Sequence, residues 1–182
     1  MHYYIVPGFG ADENSVWYPW LDQLLSDDLN AEVTRLSMPS QQALDVAAWQ
    51  HLLMTTIKTD APICLIGHSL GCWYILHYLS QNNLKQVNVI LVGGFDTAVT
   101  AFPEFKPLLA VPLNYEQIQN TIDQGLLLTA KDDPVVNWQQ TFALATRLHL
   151  DILIQQNGGH FLGWRQPLIG ELAKLFYKDN VR

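Results

Sequence analysis

Ile63-Cys64-Leu65-Ile66 is apolar at every position and runs directly into Gly67-His68-Ser69-Leu70-Gly71. A strand with one wet face alternates polar and apolar residues. A strand without alternation is covered on both faces, as in a parallel sheet flanked by helices. The same design recurs along the chain. Residues 3–6, 32–36, 87–92, 126–129 and 152–154 read as further strands, the second of them weaker. Residues 15–25, 42–57, 70–79, 138–148 and 167–176 read as helices, with Ser15 as the expected N-cap of the first. In the second helix Leu44, Ala47, Ala48 and Leu52 fall at helical spacing. Strand alternating with helix predicts an α/β fold built on a parallel sheet. With 182 residues, one domain over 1–182 is expected, large enough to need no disulfide or metal to hold its core. The rhythm breaks over residues 94–125, which hold Pro103, Pro107 and Pro112 and one expected helix near 115–122. Such a stretch is either a lid or a surface excursion.

Composition removes several classes of function. Hydrophobic residues make up 49% and charged residues 15% of the chain, which argues against disorder. The net charge is −7 and the ten Lys and Arg are scattered, so neither nucleic acid nor an anionic membrane is an expected partner. No apolar run reaches the roughly 18 residues that span a bilayer, and the N-terminus has no basic region of a signal peptide. Cys64 and Cys72 make neither a disulfide framework nor a zinc site. These features lead us to expect a cytoplasmic protein with reduced thiols. Phosphate-cradle and HExxH patterns are absent, so no cofactor and no metal are expected.

Gly67-His68-Ser69-Leu70-Gly71 is a G-x-S-x-G sequence in the strand–turn–helix setting that a nucleophile elbow requires. The glycines have a steric reason: at so tight a turn, a β-carbon on either side of the serine would clash. The turn lifts the serine hydroxyl above the sheet edge and aims the N–H of Leu70, at the helix start, where an oxyanion would form. A serine hydroxyl needs a base, and the base needs an orienting carboxylate. Among the six histidines, position selects His160, which lies past a strand's carboxyl end on the Gly158-Gly159 turn. His2 and His149 lie at the opposite edge, His51 and His77 sit within helices, and His68 points away from Ser69. For the acid, Asp133 is favoured, with Asp132 beside it and Asp96 after the fourth strand as alternatives; either of the adjacent pair also suits a helix cap before Pro134. A second oxyanion donor is expected in Pro7-Gly8-Phe9-Gly10, at the N–H of Phe9. All these segments follow predicted strands, on the edge where open parallel sheets place their functional crevice. Trp17, Trp20 and Trp73 read as core aromatics or pocket lining, Trp164 as a candidate border of the site, and Cys72 as a buried thiol.

Taken together, Ile5-Val6-Pro7-Gly8, Trp17-Tyr18-Pro19-Trp20-Leu21, Met38-Pro39, Ile66 to Gly71, Asp132-Asp133-Pro134 and Gly159-His160-Phe161 resemble the family of retinoblastoma-binding protein nine and its bacterial relatives, which are small serine hydrolases. The resemblance runs over nearly the whole chain. It implies a compact α/β-hydrolase fold with a six-stranded parallel sheet in the order 2-1-3-4-5-6, helices on both faces and no large cap domain. It implies Ser69, Asp133 and His160 as the triad. The family pattern places a proline four residues past the acid, where this chain has Asn137; that departure bears on the following helix more than on the chemistry. The expected activity is hydrolysis of small carboxylic esters or thioesters through an acyl-enzyme. The alternative is a protein-interaction module on a hydrolase scaffold. No retinoblastoma-binding L-x-C-x-E segment is present, Leu70-Gly71-Cys72-Trp73-Tyr74 being the nearest, and no protein partner is indicated.

Overall fold

A computed structural model describes residues 1–37, 39 and 44–179; Met38 and the expected helix start at residue 42 lie outside these. One sheet holds β1 (His2–Val6), β2 (Glu32–Arg35), β3 (Ile63–His68), β4 (Val87–Val92), β5 (Ile122–Ala130) and β6 (Asp151–Gln155). Its order is β2-β1-β3-β4-β5-β6, and every neighbouring pair is parallel. The helices are α1 (Tyr18–Leu29), α2 (Val46–Thr56), α3 (Leu70–Gln81), α4 (Lys106–Leu109), α5 (Tyr115–Thr121), α6 (Trp138–Leu148) and α7 (Pro167–Asp179).

The uninterrupted apolar strands have their physical reason in two separate cores. Tyr3, Ile5, Cys64, Ile66, Ile90 and Val92 face the layer of α1 and α7. Tyr4, Val6, Leu65, Val89 and Leu91, one residue out of phase, face the layer of α2, α3, α5 and α6. Successive strand residues point to opposite faces, so both sets must be apolar. Residues 70 to 80 of α3 are all buried, which explains why this helix lacks a polar face.

Several expected boundaries move. Ser15 does not cap α1. Its hydroxyl donates to Asp12 Oδ1 at 2.8 Å and accepts from the Asp12 N–H at 3.0 Å, closing a local turn. The helix starts at Tyr18 with Pro19 in its first turn, where a missing N–H costs nothing. It continues past residue 25 to Leu29, and the left-handed Asn30 then returns its N–H to Leu25 and Ser26. α2 starts at Val46, capped by Asp45, whose carboxylate accepts from the Ala48 N–H at 3.0 Å. β5 begins four residues before the expected 126, because Val87 and Asn88 of β4 pair with Ile122 and Gln124. Backbone pairing needs no apolar side chain, so the polar Asp123 and Gln124 gave no strand signal.

The excursion after β4 contains a 3₁₀ turn (Pro103–Phe105) ahead of α4 and α5, not one helix. It is packed down on the sheet. Phe95, Val99, Phe105 and Leu108 are buried, and Phe9 meets Phe102 and Phe105 edge-on at 5.5 and 5.1 Å between ring centroids. Apolar burial thus holds this segment against the loop that follows β1.

Candidate active site

β3 runs two residues beyond the expected strand, to His68, and the chain turns at once into α3. Ser69 occupies the turn with φ 53° and ψ −121° and makes no side-chain cap. A residue with a β-carbon at positive φ carries strain of about 1–3 kcal/mol. Its surroundings enforce the conformation. The Ser69 N–H donates to the Val92 carbonyl at 2.8 Å, and the Ser69 carbonyl accepts from Cys72 at 3.0 Å. A β-carbon at Gly67 would stand 2.9 Å from Cys72 Cα, and one at Gly71 only 2.3 Å from the Val6 carbonyl oxygen. Both glycines are therefore required by close approach. Leu70 is the first residue of α3, where the N–H has no intrahelical acceptor. Gly8 lies across from the elbow: a β-carbon there would be 3.1 Å from Ser69 Cβ. The half-buried Phe9 follows it.

His160 and Asp133 meet. His160 Nδ1 and Asp133 Oδ2 are 2.8 Å apart, with the side chains 7% and 0% exposed. The second oxygen of Asp133 accepts from the N–H groups of Val135 and Val136 at 2.8 and 3.0 Å, so the carboxylate has one orientation. The imidazole sits over Gly93, where a β-carbon would approach Cε1 to 3.2 Å. Asp132 points away from this pair. One of its oxygens accepts from the N–H groups of Gly158 and Gly159, each at 2.9 Å, which fixes the turn that carries His160. Asp96 is committed elsewhere. Its buried carboxylate accepts from Arg147, whose Nε is 2.8 Å away, and from the Tyr115 hydroxyl at 2.6 Å. Neither Asp132 nor Asp133 caps α6. Asn137 does, accepting from the Gln139 N–H at 3.0 Å, so the residue in place of the family's proline begins the helix by another means.

Three contacts had no signal in the sequence. The His68 ring reaches the His160 carbonyl oxygen at 2.9 Å through Nε2 and the Tyr18 hydroxyl at 2.8 Å through Nδ1. The Trp17 indole donates to the Phe161 carbonyl at 3.0 Å. Trp17 and Trp73 are fully buried. Trp164 projects into solvent at 75% exposure. Both cysteines are free and buried. Burial pushes the Cys72 thiol up, out of the range where a thiolate forms. A groove of about 460 Å³ lies beside the acid loop, lined by Thr100, Ala101, Lys131, Pro134 and Gln139 among others.

His68 makes stability depend on pH. Burial, and secondarily the neighbouring His160, lower it from 6.5 to about 4. The unfolded chain therefore binds this proton first as pH falls. The contribution is complete above pH 6.5 and is lost as pH falls toward 4. The loss is of order 3 kcal/mol at about 1.4 kcal/mol per pH unit. Denaturant unfolding at pH 7 and pH 4 is expected to show this drop in the wild type and a smaller one in His68→Gln. Equal drops in the two proteins would remove His68 as the cause.

The parallel sheet in this order, with a strained serine elbow past β3 and a buried Asp–His pair past β5 and β6, defines an α/β-hydrolase. A family model described as serine hydrolase matches residues 3–164, and the chain belongs to that family of enzymes. It is 28% identical over 191 residues to the protein YdeN of Bacillus subtilis, covering 98% of this chain and 97% of that protein. It is 23% identical over 160 residues to the serine hydrolase RBBP9 of Rattus norvegicus, covering 86% and 85%. The crystal structure of the B. subtilis ydeN gene product is similar with a TM-score of 0.88 at 24% identity, over 97% of this chain and 98% of that one. Est1E from Butyrivibrio proteoclasticus shares the fold with a TM-score of 0.76 at 11% identity, over 99% and 88%. Among the described residues, no helix is long and apolar enough to cross a membrane.

Proposed function

We propose that this enzyme hydrolyses small carboxylic esters or thioesters, with Ser69 as nucleophile, His160 as base and Asp133 as the orienting acid. The observation that carries the reading is the 2.8 Å contact between the buried Asp133 carboxylate and His160 Nδ1, at the sheet edge that also holds the Ser69 elbow. With Nδ1–H donated to Asp133, the lone pair of His160 is on Nε2. Ser69 Oγ attacks the substrate carbonyl carbon while Nε2 takes its proton. The N–H groups of Leu70 and Phe9 stabilise the resulting oxyanion. Collapse of the tetrahedral intermediate breaks the bond to the alcohol or thiol, which leaves with the proton from Nε2. Water then attacks the acyl-serine, His160 takes its proton and returns it to Ser69 Oγ, and the carboxylic acid departs.

The lack of a large cap over the strand ends among the described residues supports small or flexible substrates. A cytoplasmic setting belongs to the same proposal, supported by the two free, buried cysteines. The test is a fluorophosphonate probe on the wild-type protein, read by intact mass and mapped by peptide sequencing. One adduct at Ser69, together with turnover of p-nitrophenyl acetate, is expected. A folded protein that takes no adduct, or takes it at another residue, overturns the proposal.

A further inference from the structure

We propose that Tyr18 and His68 are positioning residues that tie the oxyanion loop after β1 to the base loop after β6 through one directional chain of hydrogen bonds beneath the elbow. The inference rests on the assignment of Ser69, His160 and the Phe9 N–H made above. The chain begins at the Gly8 N–H, which donates to the Tyr18 hydroxyl at 3.2 Å. Tyr18 and His68 Nδ1 are 2.8 Å apart, and His68 Nε2 and the His160 carbonyl oxygen are 2.9 Å apart. The proton positions follow from the chemistry. A carbonyl only accepts, so His68 Nε2 carries the hydrogen. Nδ1 of the neutral ring is then an acceptor and takes the hydroxyl hydrogen of Tyr18. The Tyr18 oxygen keeps a lone pair for the Gly8 N–H. Every group is satisfied in this arrangement, and no other neutral tautomer satisfies them all.

The placement gives the chain its consequence. Tyr18 is fully buried and His68 is 3% exposed, so water does not replace a missing member. One end fixes the Gly8 N–H, one peptide before the N–H of Phe9 that is the proposed oxyanion donor. The other end fixes the carbonyl of His160 itself. Trp17 holds the next carbonyl, that of Phe161, whose φ of 54° needs such support. The start of α1 thus locks two loops that are far apart in sequence, and bonds in such a chain strengthen one another.

The experiment compares Tyr18→Phe, His68→Gln, His68→Leu and the double variant Tyr18→Phe/His68→Leu by ester hydrolysis, melting temperature and the amide resonance of Phe161. Tyr18→Phe keeps the ring and its packing. It is expected to lower kcat by about 10- to 100-fold, the scale of a small misplacement in a site, with KM within about twofold. His68→Gln places an amide near the Nε2 position and should recover part of the activity lost in His68→Leu. The double variant should be no slower than His68→Leu, because one chain is broken either way. The Phe161 amide should shift in Tyr18→Phe, although Tyr18 makes no direct hydrogen bond to it. Wild-type kcat in Tyr18→Phe overturns the proposal, as does a loss of activity equal in His68→Gln and His68→Leu that tracks the melting temperature. If the wild type takes no fluorophosphonate label, the Ser69 assignment fails. The Phe161 resonance then judges the coupling alone: a shift supports it and an unmoved peak overturns it.

Discussion

Asp133→Asn is expected to lower kcat by about 10⁴-fold, the loss that follows when an orienting acid is neutralised in a serine triad. The structure gives the reason. Asp133 Oδ1 accepts from the Val135 and Val136 N–H groups at 2.8 and 3.0 Å, so an asparagine would keep its carbonyl oxygen there and turn its NH₂ toward His160. The ring would then have to offer a lone pair at Nδ1 and carry its hydrogen on Nε2, the wrong tautomer for taking a proton from Ser69. Asp132→Asn separates this effect from charge loss in general. Its single accepting oxygen, bonded to Gly158 and Gly159, is retained in asparagine, and the residue is exposed. A loss of no more than about tenfold is expected, the low end for a group that acts on an orienting partner. Steady-state kinetics on the two variants, with Ser69→Ala as the zero of activity, decides the matter. Comparable losses in both would mean that the 2.8 Å pair is not the one that orients the base.

Gly71→Ala is expected to prevent folding. A β-carbon there would stand 2.3 Å from the Val6 carbonyl oxygen and 2.6 Å from that of Pro7. Both are backbone atoms, so no rotamer change relieves the clash. β1 cannot retreat, because it pairs with β2 on one side and with β3 on the other. α3 cannot rise, because its residues are buried along almost its entire length. Overpacking of a core by side chains costs about 1–3 kcal/mol. A double contact with fixed backbone belongs in the tail above about 4 kcal/mol, against a total stability of about 5–15 kcal/mol. Gly10→Ala supplies the contrast: its φ is +73° but nothing lies within 4 Å of the added atom, so only conformational strain of about 1 kcal/mol applies. Thermal unfolding of the two variants is the measurement. A Gly71→Ala protein melting within a few degrees of the wild type would refute the close approach of α3 to β1.

Much of the site was legible because chemistry imposed local patterns. The elbow needs glycine on both sides of serine, and Gly67 and Gly71 stand where contact distances leave no room for more. The proposed base needs a bend past a strand end, and His160 follows a glycine pair. The choice between Asp132 and Asp133 was less legible, since adjacent residues of one type carry the same local signal and differ only in direction. The start of α1 misled for a related reason. Ser15 has the composition of a cap, but its hydroxyl is taken by Asp12 in a turn that ends before the helix begins.

The sequence by itself determined the sheet, because a strand covered on both faces must be apolar throughout, and the place of the serine elbow, because a tight turn excludes β-carbons. Tertiary structure alone decided the rest. It brought Tyr18, His68 and His160 into one chain across separations of 50 and 92 residues, laid Phe102 and Phe105 against Phe9, and divided two neighbouring aspartates between a ring nitrogen and a pair of backbone amides. Hydrogen bonds and ring contacts between distant segments leave no periodicity in the chain. They exist only once apolar burial has fixed the distances between the elements that carry them.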